Sequence, residues 1–404
     1  MGNVNYAAQY GRELANAYPY LSYYADLWNQ GESQRFRPYQ GKTVFIPSMT
    51  TTGATAVNRD QITGVFNRNF NVEWQPCVLE MDREWSTLVD PMDMVETNEV
   101  ATIANVTRTF NEQQKVPEQD AFMSSKLAGF AGSFGGVDTT SLNSSNILPQ
   151  WDAYLEYMTE MRVNRDRVQC KMTPATYKLL KEATGLTRFV ETAEGFRGVD
   201  RNIARLDGVR IQEIPSDMMK TVYDFTTGWA IGSSPATIDL VMYDPLAIAA
   251  PIVYDTSMIS APDAGSKGKW LYYERYYYGA FALNQRNGGV FAHLSSAPSL
   301  KTLTVTSVAG SASGATVINA SGFGIGQNGT PASGLEMYIT SGNNSAPSVS
   351  YGSALPGGVT WTQIGGVPQA LTSQTANKYV TVALVNSHTG YAVAAGSAQE
   401  VVGA

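Results

Sequence analysis

The residues able to do chemistry in this 404-residue chain concentrate in one stretch, DREWSTLVDPMDMVETNEV, from Asp82 to Val100. It carries Asp82, Glu84, Asp90, Asp93, Glu96 and Glu99, with no Lys and one Arg. Closely spaced carboxylates can serve as a general acid and base or as oxygen ligands for a cation. A calcium loop also needs alternating oxygen ligands and a turn glycine, and no Gly lies between Gly64 and Gly129. The period of the stretch points to structure instead. Leu79, Met81, Trp85 and Val89 fall on one face of an expected strand, and Glu80, Asp82, Glu84 and Asp90 on the other. Carboxylates two residues apart on a strand stand roughly 7 Å from each other. Such a row repels itself unless cations from a neighbouring strand or chain face it. After Pro91 the spacing becomes three, through Asp93, Glu96 and Glu99, and Thr97 or Asn98 is expected to cap a helix over NEVATIANVTRTF. The structural reading is preferred; a catalytic or metal site is its alternative.

Little other reactive machinery is visible. The two histidines, His293 and His388, have no Ser or Cys nucleophile motif beside them and read as structural or surface residues. Cys77 and Cys170 are far apart, which suggests neither a disulfide framework nor a zinc site. One GxGxxG, Gly324 to Gly329, leads into TPASG rather than a helix, so its glycines read as turn formers. Nothing resembles an assembled active site, no metal or cofactor is expected, and the chain reads as a non-enzyme.

The positioning elements follow from composition and period. A net charge of −7 with 16% charged residues argues against a protein that wraps nucleic acid through clustered cations. No signal peptide and no apolar run of membrane-spanning length are seen, so a soluble, unexported chain is expected. Residues 1–40 are tyrosine-rich, with Pro19 breaking a weak pattern, and read as an extended arm or as a strand and helix docked on their own core. GKTVFIPSM and FNRNFNVEW flank a Gly/Thr-rich turn region as a long hairpin, with Phe66, Phe70, Val72 and Trp74 on one face. A lone hairpin of that length needs something to pack on, such as another subunit. KVPEQDAFMSSKLAGFAGSF restarts a helix with Pro117 in its first turn, a packing face of Ala121, Phe122, Ala128 and Ala131, and Gly135-Gly136 at its end.

Residues 149–294 mix helices (LPQWDAYLEYMTEMRVN, TPATYKLLKEAT) with strands (GVRIQEIP, ATIDLVMYD, YYERYYYGAFAL, GGVFAHL), an α+β pattern. RFVETAEGFRGVDRNIARLDG reads as a contact loop. Beyond Ser295 only Lys301, Glu336, Lys378 and Glu400 are charged, and six or so short strands recur, which suggests an immunoglobulin-like sandwich.

The order of these parts, with VDPMDMVET after the acidic strand, VPEQDAF opening a helix, and YYERYYYGAFALNQRNGGVFAHL closing the domain, resembles major capsid proteins of tailed bacteriophages with the Hong Kong 97-type fold. The resemblance covers about residues 1–294. It implies an N-arm (1–40), an E-loop hairpin (41–78), a peripheral domain with its spine helix (79–148), an axial domain (149–270) and return strands of the peripheral domain (271–294). A linker (295–299) and an immunoglobulin-like surface domain (300–404) would follow.

The implied function is mechanical. Homo-hexamers and homo-pentamers would close into an icosahedral shell in the bacterial host cytoplasm, touching packaged DNA only through weak, non-specific contacts. Arg59 or Arg68 would meet Glu80, Asp82, Glu84 and Asp90 across subunit interfaces. Because the arm begins almost at Met1, scaffolding is expected from a separate protein, alongside a portal. With no Lys between Lys42 and Lys115, non-covalent contacts are expected rather than the lysine cross-links of some relatives. The C-terminal module would face outward as a passive ornament, a stabilising cap or a glycan binder using Trp361 and Tyr391. A surface protein whose sandwich recognises cell-surface glycans is the alternative to the capsid reading.

Overall fold

The computed structural model describes residues 22–28, 37–38, 43–51, 70–96, 102–183, 203–326, 328–332, 335–387 and 390–403. The chain divides into two compact units, one of residues 1–116 and 248–281 and the other of residues 117–247 and 282–404. Most of the expected arm, Arg59, Phe66, Arg68, Thr97, Asn98, His388 and most of the expected contact loop lie outside the described residues.

In the first unit, strands Thr43–Thr51 and Phe70–Val78 pair antiparallel from Thr43 opposite Val78 to Thr51 opposite Phe70. Period-two alternation gives the pair two unlike faces. Val44, Ile46 and Cys77 are buried on one, whereas Met49, Phe70, Val72, Trp74 and Val78 are exposed on the other. The acidic strand Met81–Val89 pairs antiparallel with Trp270–Tyr278, whose other edge holds Ile252–Ser260.

Two helices follow the acidic strand. In α1, Pro91–Glu96, the Asp90 carboxylate accepts the Met92 amide at 2.9 Å. The second, α2, is Ile103–Phe110, and its cap is Thr102 rather than Thr97 or Asn98. Thr102 has extended backbone, which brings its hydroxyl oxygen to 3.3 Å from the Asn105 amide it accepts. The Phe110 ring stacks on Trp85 of the acidic strand at 4.0 Å between centroids.

In the second unit, α3 spans Val116–Phe134. It does not restart at KVPEQDAF, because Asn111–Lys115 is already a π-helical turn. Pro117 has no amide proton to return to an earlier carbonyl, and just ahead of it the ladder slips by one residue, the Val116 amide donating to Asn111. Ala121, Phe122, Ala128 and Ala131 are buried as expected, and so are Met123, Leu127 and Phe134. Gly135, at φ +74°, turns the chain, and the Gly136 amide closes the helix on the Ala131 carbonyl at 2.9 Å.

Helices α4, Ile147–Glu160, and α5, Pro174–Lys181, lie against a six-stranded sheet. Its order is Val137–Asp138, Val290–Leu294, Ile238–Tyr243, Gln169–Met172, Val209–Glu213 and Arg205–Leu206. Trp151, Leu155, Met158, Leu180, Leu240 and Met242 form the centre of this core. The end of the expected contact loop is instead a tight hairpin, because Asp207 (φ +51°) and Gly208 (φ +86°) supply the two left-handed positions that a two-residue turn needs.

The C-terminal residues form an all-β module of seven strands. Lys301–Ala309 pairs in parallel with Ala392–Gln399 at its start and antiparallel with Thr316–Gly322 along its length, linking the two halves. Leu303, Ile318, Met337, Val382, Leu384 and Val393 pack between them. The six expected strands are present, and Gln369–Leu371 adds a seventh.

Candidate functional site

The acidic strand owes its geometry to register. Asp82 lies opposite Tyr277 and Glu84 opposite Arg275. Arg275 reaches diagonally to Asp82, with Nε 3.3 Å from one carboxylate oxygen and Nη2 3.2 Å from the other. This two-pronged bond raises the already high pKa of Arg275 further. Past the strand end, Asp90 meets Lys269 at 3.5 Å. The Met92 amide, and after it Lys269, hold the Asp90 carboxyl below its usual range. Glu84 is exposed, with the Tyr273 hydroxyl at 3.4 Å, and Glu80 is exposed ahead of the strand. At Asp82 and Asp90 the row therefore takes cations from its own chain, Arg275 and Lys269.

On the opposite face of the same sheet, Glu274 is buried at 3% exposure. It forms an ion pair with Lys115 of the π-helical turn and accepts the Tyr272 hydroxyl at 2.9 Å. The Lys115 ammonium also lies 4.4 Å from the Tyr276 ring centroid. Arg275, Lys269 and the Lys115–Glu274 pair escape sequence reasoning. Each depends on which strand neighbours the acidic one, and the available hint was that KWLYYERY alternates with cations at two points.

In the second unit, His293 is buried within Val290–Leu294. Nδ1 lies 3.0 Å from the Asp239 carboxylate and Nε2 lies 2.7 Å from the Thr140 carbonyl. With Nδ1 facing a carboxylate and Nε2 facing a carbonyl, both ring nitrogens are placed to donate, an arrangement that favours the protonated ring. Burial works to lower its pKa, but Asp239 and Thr140, with Asp138 at 4.0 Å, hold it above the ordinary value. With both nitrogens engaged, the ring serves as a cross-brace rather than a base.

Cys77 and Cys170 are free, buried thiols. Among the described residues no group of three or more His, Cys, Asp or Glu could hold a metal ion. No described helix is long and apolar enough to cross a membrane. The glycines of GxGxxG serve turns: a Cβ at Gly329 would overlap the Val367 carbonyl. In the module, the Trp361 indole donates to the Pro356 carbonyl at 3.1 Å, and Tyr391 is 48% exposed.

No protein-family model and no curated protein matches the sequence. Solved structures do. The capsid chain of cyanophage P-SCSP1u superposes with a TM-score of 0.52 at 11% identity, covering 71% of this chain and 92% of that one. A chain of Mycobacterium phage Che8 matches at a TM-score of 0.46 and 18% identity, covering 69% and 93%. The capsid chain of Ralstonia phage GP4 gives 0.47 at 12%, covering 71% and 94%. The fold is argued from the first alone, since the other scores fall below 0.5. The chain has the α+β fold of phage capsid chains, the Hong Kong 97 type.

Proposed function

We propose that the chain is the major capsid protein of a tailed bacteriophage, a structural, non-enzymatic protein. It assembles with itself as hexamers and pentamers into an icosahedral shell around double-stranded DNA. The observation that carries this reading is the fold shared with a phage capsid chain over 92% of that chain's length. The exposed apolar face of the hairpin, with Met49, Phe70, Val72 and Trp74, supports it, because single subunits rarely leave such a face in water. On this reading residues 1–40 are the arm, 41–78 the E-loop, 79–148 and 271–294 the peripheral domain, and 149–270 the axial domain. Residues 300–404 form an outward, immunoglobulin-like decoration.

On this reading Arg59 or Arg68 meets the acidic residues Glu80, Asp82, Glu84 and Asp90 of a neighbouring subunit, Asp82 and Asp90 also holding Arg275 and Lys269 of their own chain. Assembly takes place in the host cytoplasm with a separate scaffolding protein and a portal. Electron microscopy and sedimentation of the overexpressed protein test the reading. Closed shells, tubes or curved sheets support it; a small monodisperse species, both alone and with the scaffolding protein co-expressed, would overturn it.

A further inference from the structure

The segment joining the second unit's six-stranded sheet to the β-module is held at both ends. Ser295 and Thr237 exchange two hydrogen bonds: the Ser295 amide donates to the Thr237 carbonyl at 2.9 Å, and the Thr237 amide donates to the Ser295 hydroxyl at 2.8 Å. Three residues on, Pro298 packs over Gly132 in the last turn of α3, where a Cβ would stand 3.5 Å from the proline ring.

Two further points of the module reach the same turn. The Tyr351 hydroxyl donates to the Gly132 carbonyl at 2.9 Å. The last carbonyls of a helix lack intrahelical donors, so this phenol supplies one of the missing bonds. Burial raises the Tyr351 pKa, which keeps the hydroxyl a donor. Tyr351 is itself held, because the neighbouring Gly352 amide donates to the Ala392 carbonyl and the Ala392 amide to the Ser353 carbonyl, both at 2.9 Å. Asn386, fully buried at the end of its strand, lies so close to Gly135 that a Cβ there would come within 2.9 Å of the asparagine Cβ.

We propose that the β-module is a fixed buttress of α3, docked through Pro298, Tyr351 and Asn386 onto the glycine-bearing end of that helix, and not an ornament on a free linker. The partner of this surface is the helix of the same chain. The inference holds for the isolated subunit whether or not it assembles, so it stands apart from the capsid reading. Docking fixes the module's orientation on its domain and makes the module part of what holds the helix end.

Two glycines of one helix provide the test. Gly129 is exposed with nothing within 4 Å of a would-be Cβ, whereas Gly132 is buried under Pro298 and Tyr351. The full chain is compared as Gly129→Leu and Gly132→Leu by hydrogen exchange and thermal melting. Gly129→Leu is expected to leave both unchanged or to stabilise slightly, because Leu is the better helix former. Gly132→Leu is expected to lower the melting temperature and speed exchange several-fold in residues 296–300 and 350–353. Tyr351→Phe keeps the ring and removes only the hydroxyl; it is expected to speed exchange at residues 132–136 and serves as the test if Gly132→Leu fails to fold. Matching exchange profiles for the two leucine variants, or no change in Tyr351→Phe, would overturn the proposal.

Discussion

Asp82 and Arg275 are joined across two adjacent antiparallel strands by a fork of two hydrogen bonds, 3.3 and 3.2 Å long. A carboxylate row that would repel itself is thereby partly neutralised within the chain, the first step in making its sheet edge stable. The pair is solvent-accessible, so its contribution is screened by salt. Arg275→Gln should lower the melting temperature at low ionic strength, and the gap to the unmodified protein should close near 1 M salt, where the Debye length is about 3 Å. A gap independent of salt would mean that the guanidinium acts by packing on Tyr277, which lies 5.0 Å from it.

His293 gives the fold a pH dependence of definite sign. Its folded pKa is raised above the ordinary 6.5 by Asp239, Thr140 and Asp138, against the opposing effect of burial. A raised folded pKa makes the contribution complete below the unfolded value and removes it as pH climbs through the folded one. Melting temperature should therefore hold steady up to about pH 6 and fall at higher pH. In Asp239→Asn that fall should be smaller and end at lower pH, since the neutral amide still accepts the ring proton but no longer favours the charge. Tyr154, which donates to Asp138 at 2.6 Å, faces the same cluster and stays neutral throughout, its pKa raised by burial and by Asp138. A proton-detected titration of the imidazole assigns the transition to His293.

The two thiols should be silent in the native protein. Burial pushes the Cys77 thiol up to about 11 and raises Cys170 as well. Thiolate is the reactive form, so at pH 8 a disulfide-exchange reagent should label neither within the time it takes to label both in denaturant. Labelling of Cys77 alone would report opening of the hairpin's buried face.

Much of this architecture was legible because local period decided it. The alternation of the acidic strand survives as buried Met81 and Val89 with exposed Glu84 between them, and the sparsely charged C-terminal residues form strands of one sheet. What could not be read depends on pairing over long sequence distances. Arg275 lies 193 residues from Asp82, and no periodicity specifies that neighbour. The cap of α2 was displaced for a local reason. Thr97, Asn98 and Thr102 are all competent caps, and only backbone geometry shows that Thr102 uses its hydroxyl this way. Within the linker expected over residues 295–299, the approach of Pro298 to Gly132 likewise depends on a partner more than 160 residues away in sequence.

The sharpest separation of subunit stability from assembly comes from the hairpin. Met49 and Val72 lie opposite each other on its exposed face, with Trp74 opposite Pro47 one step along and Phe70 opposite Thr51 at the far end. Burying that apolar row against a neighbouring subunit would supply association energy at roughly 25 cal/mol per Å² removed from water. Within the isolated subunit, exposed side chains contribute little, so Val72→Thr and Trp74→Gln should change subunit stability by no more than about 0.5 kcal/mol each. If the face is an interface between copies, the double variant keeps the circular dichroism and melting profile of the unmodified subunit but sediments as a small species where the unmodified chain forms shells. Shells formed by the double variant at unmodified yield would place the driving contacts elsewhere. Loss of the melting transition itself would show that the row is buried within the subunit's own fold.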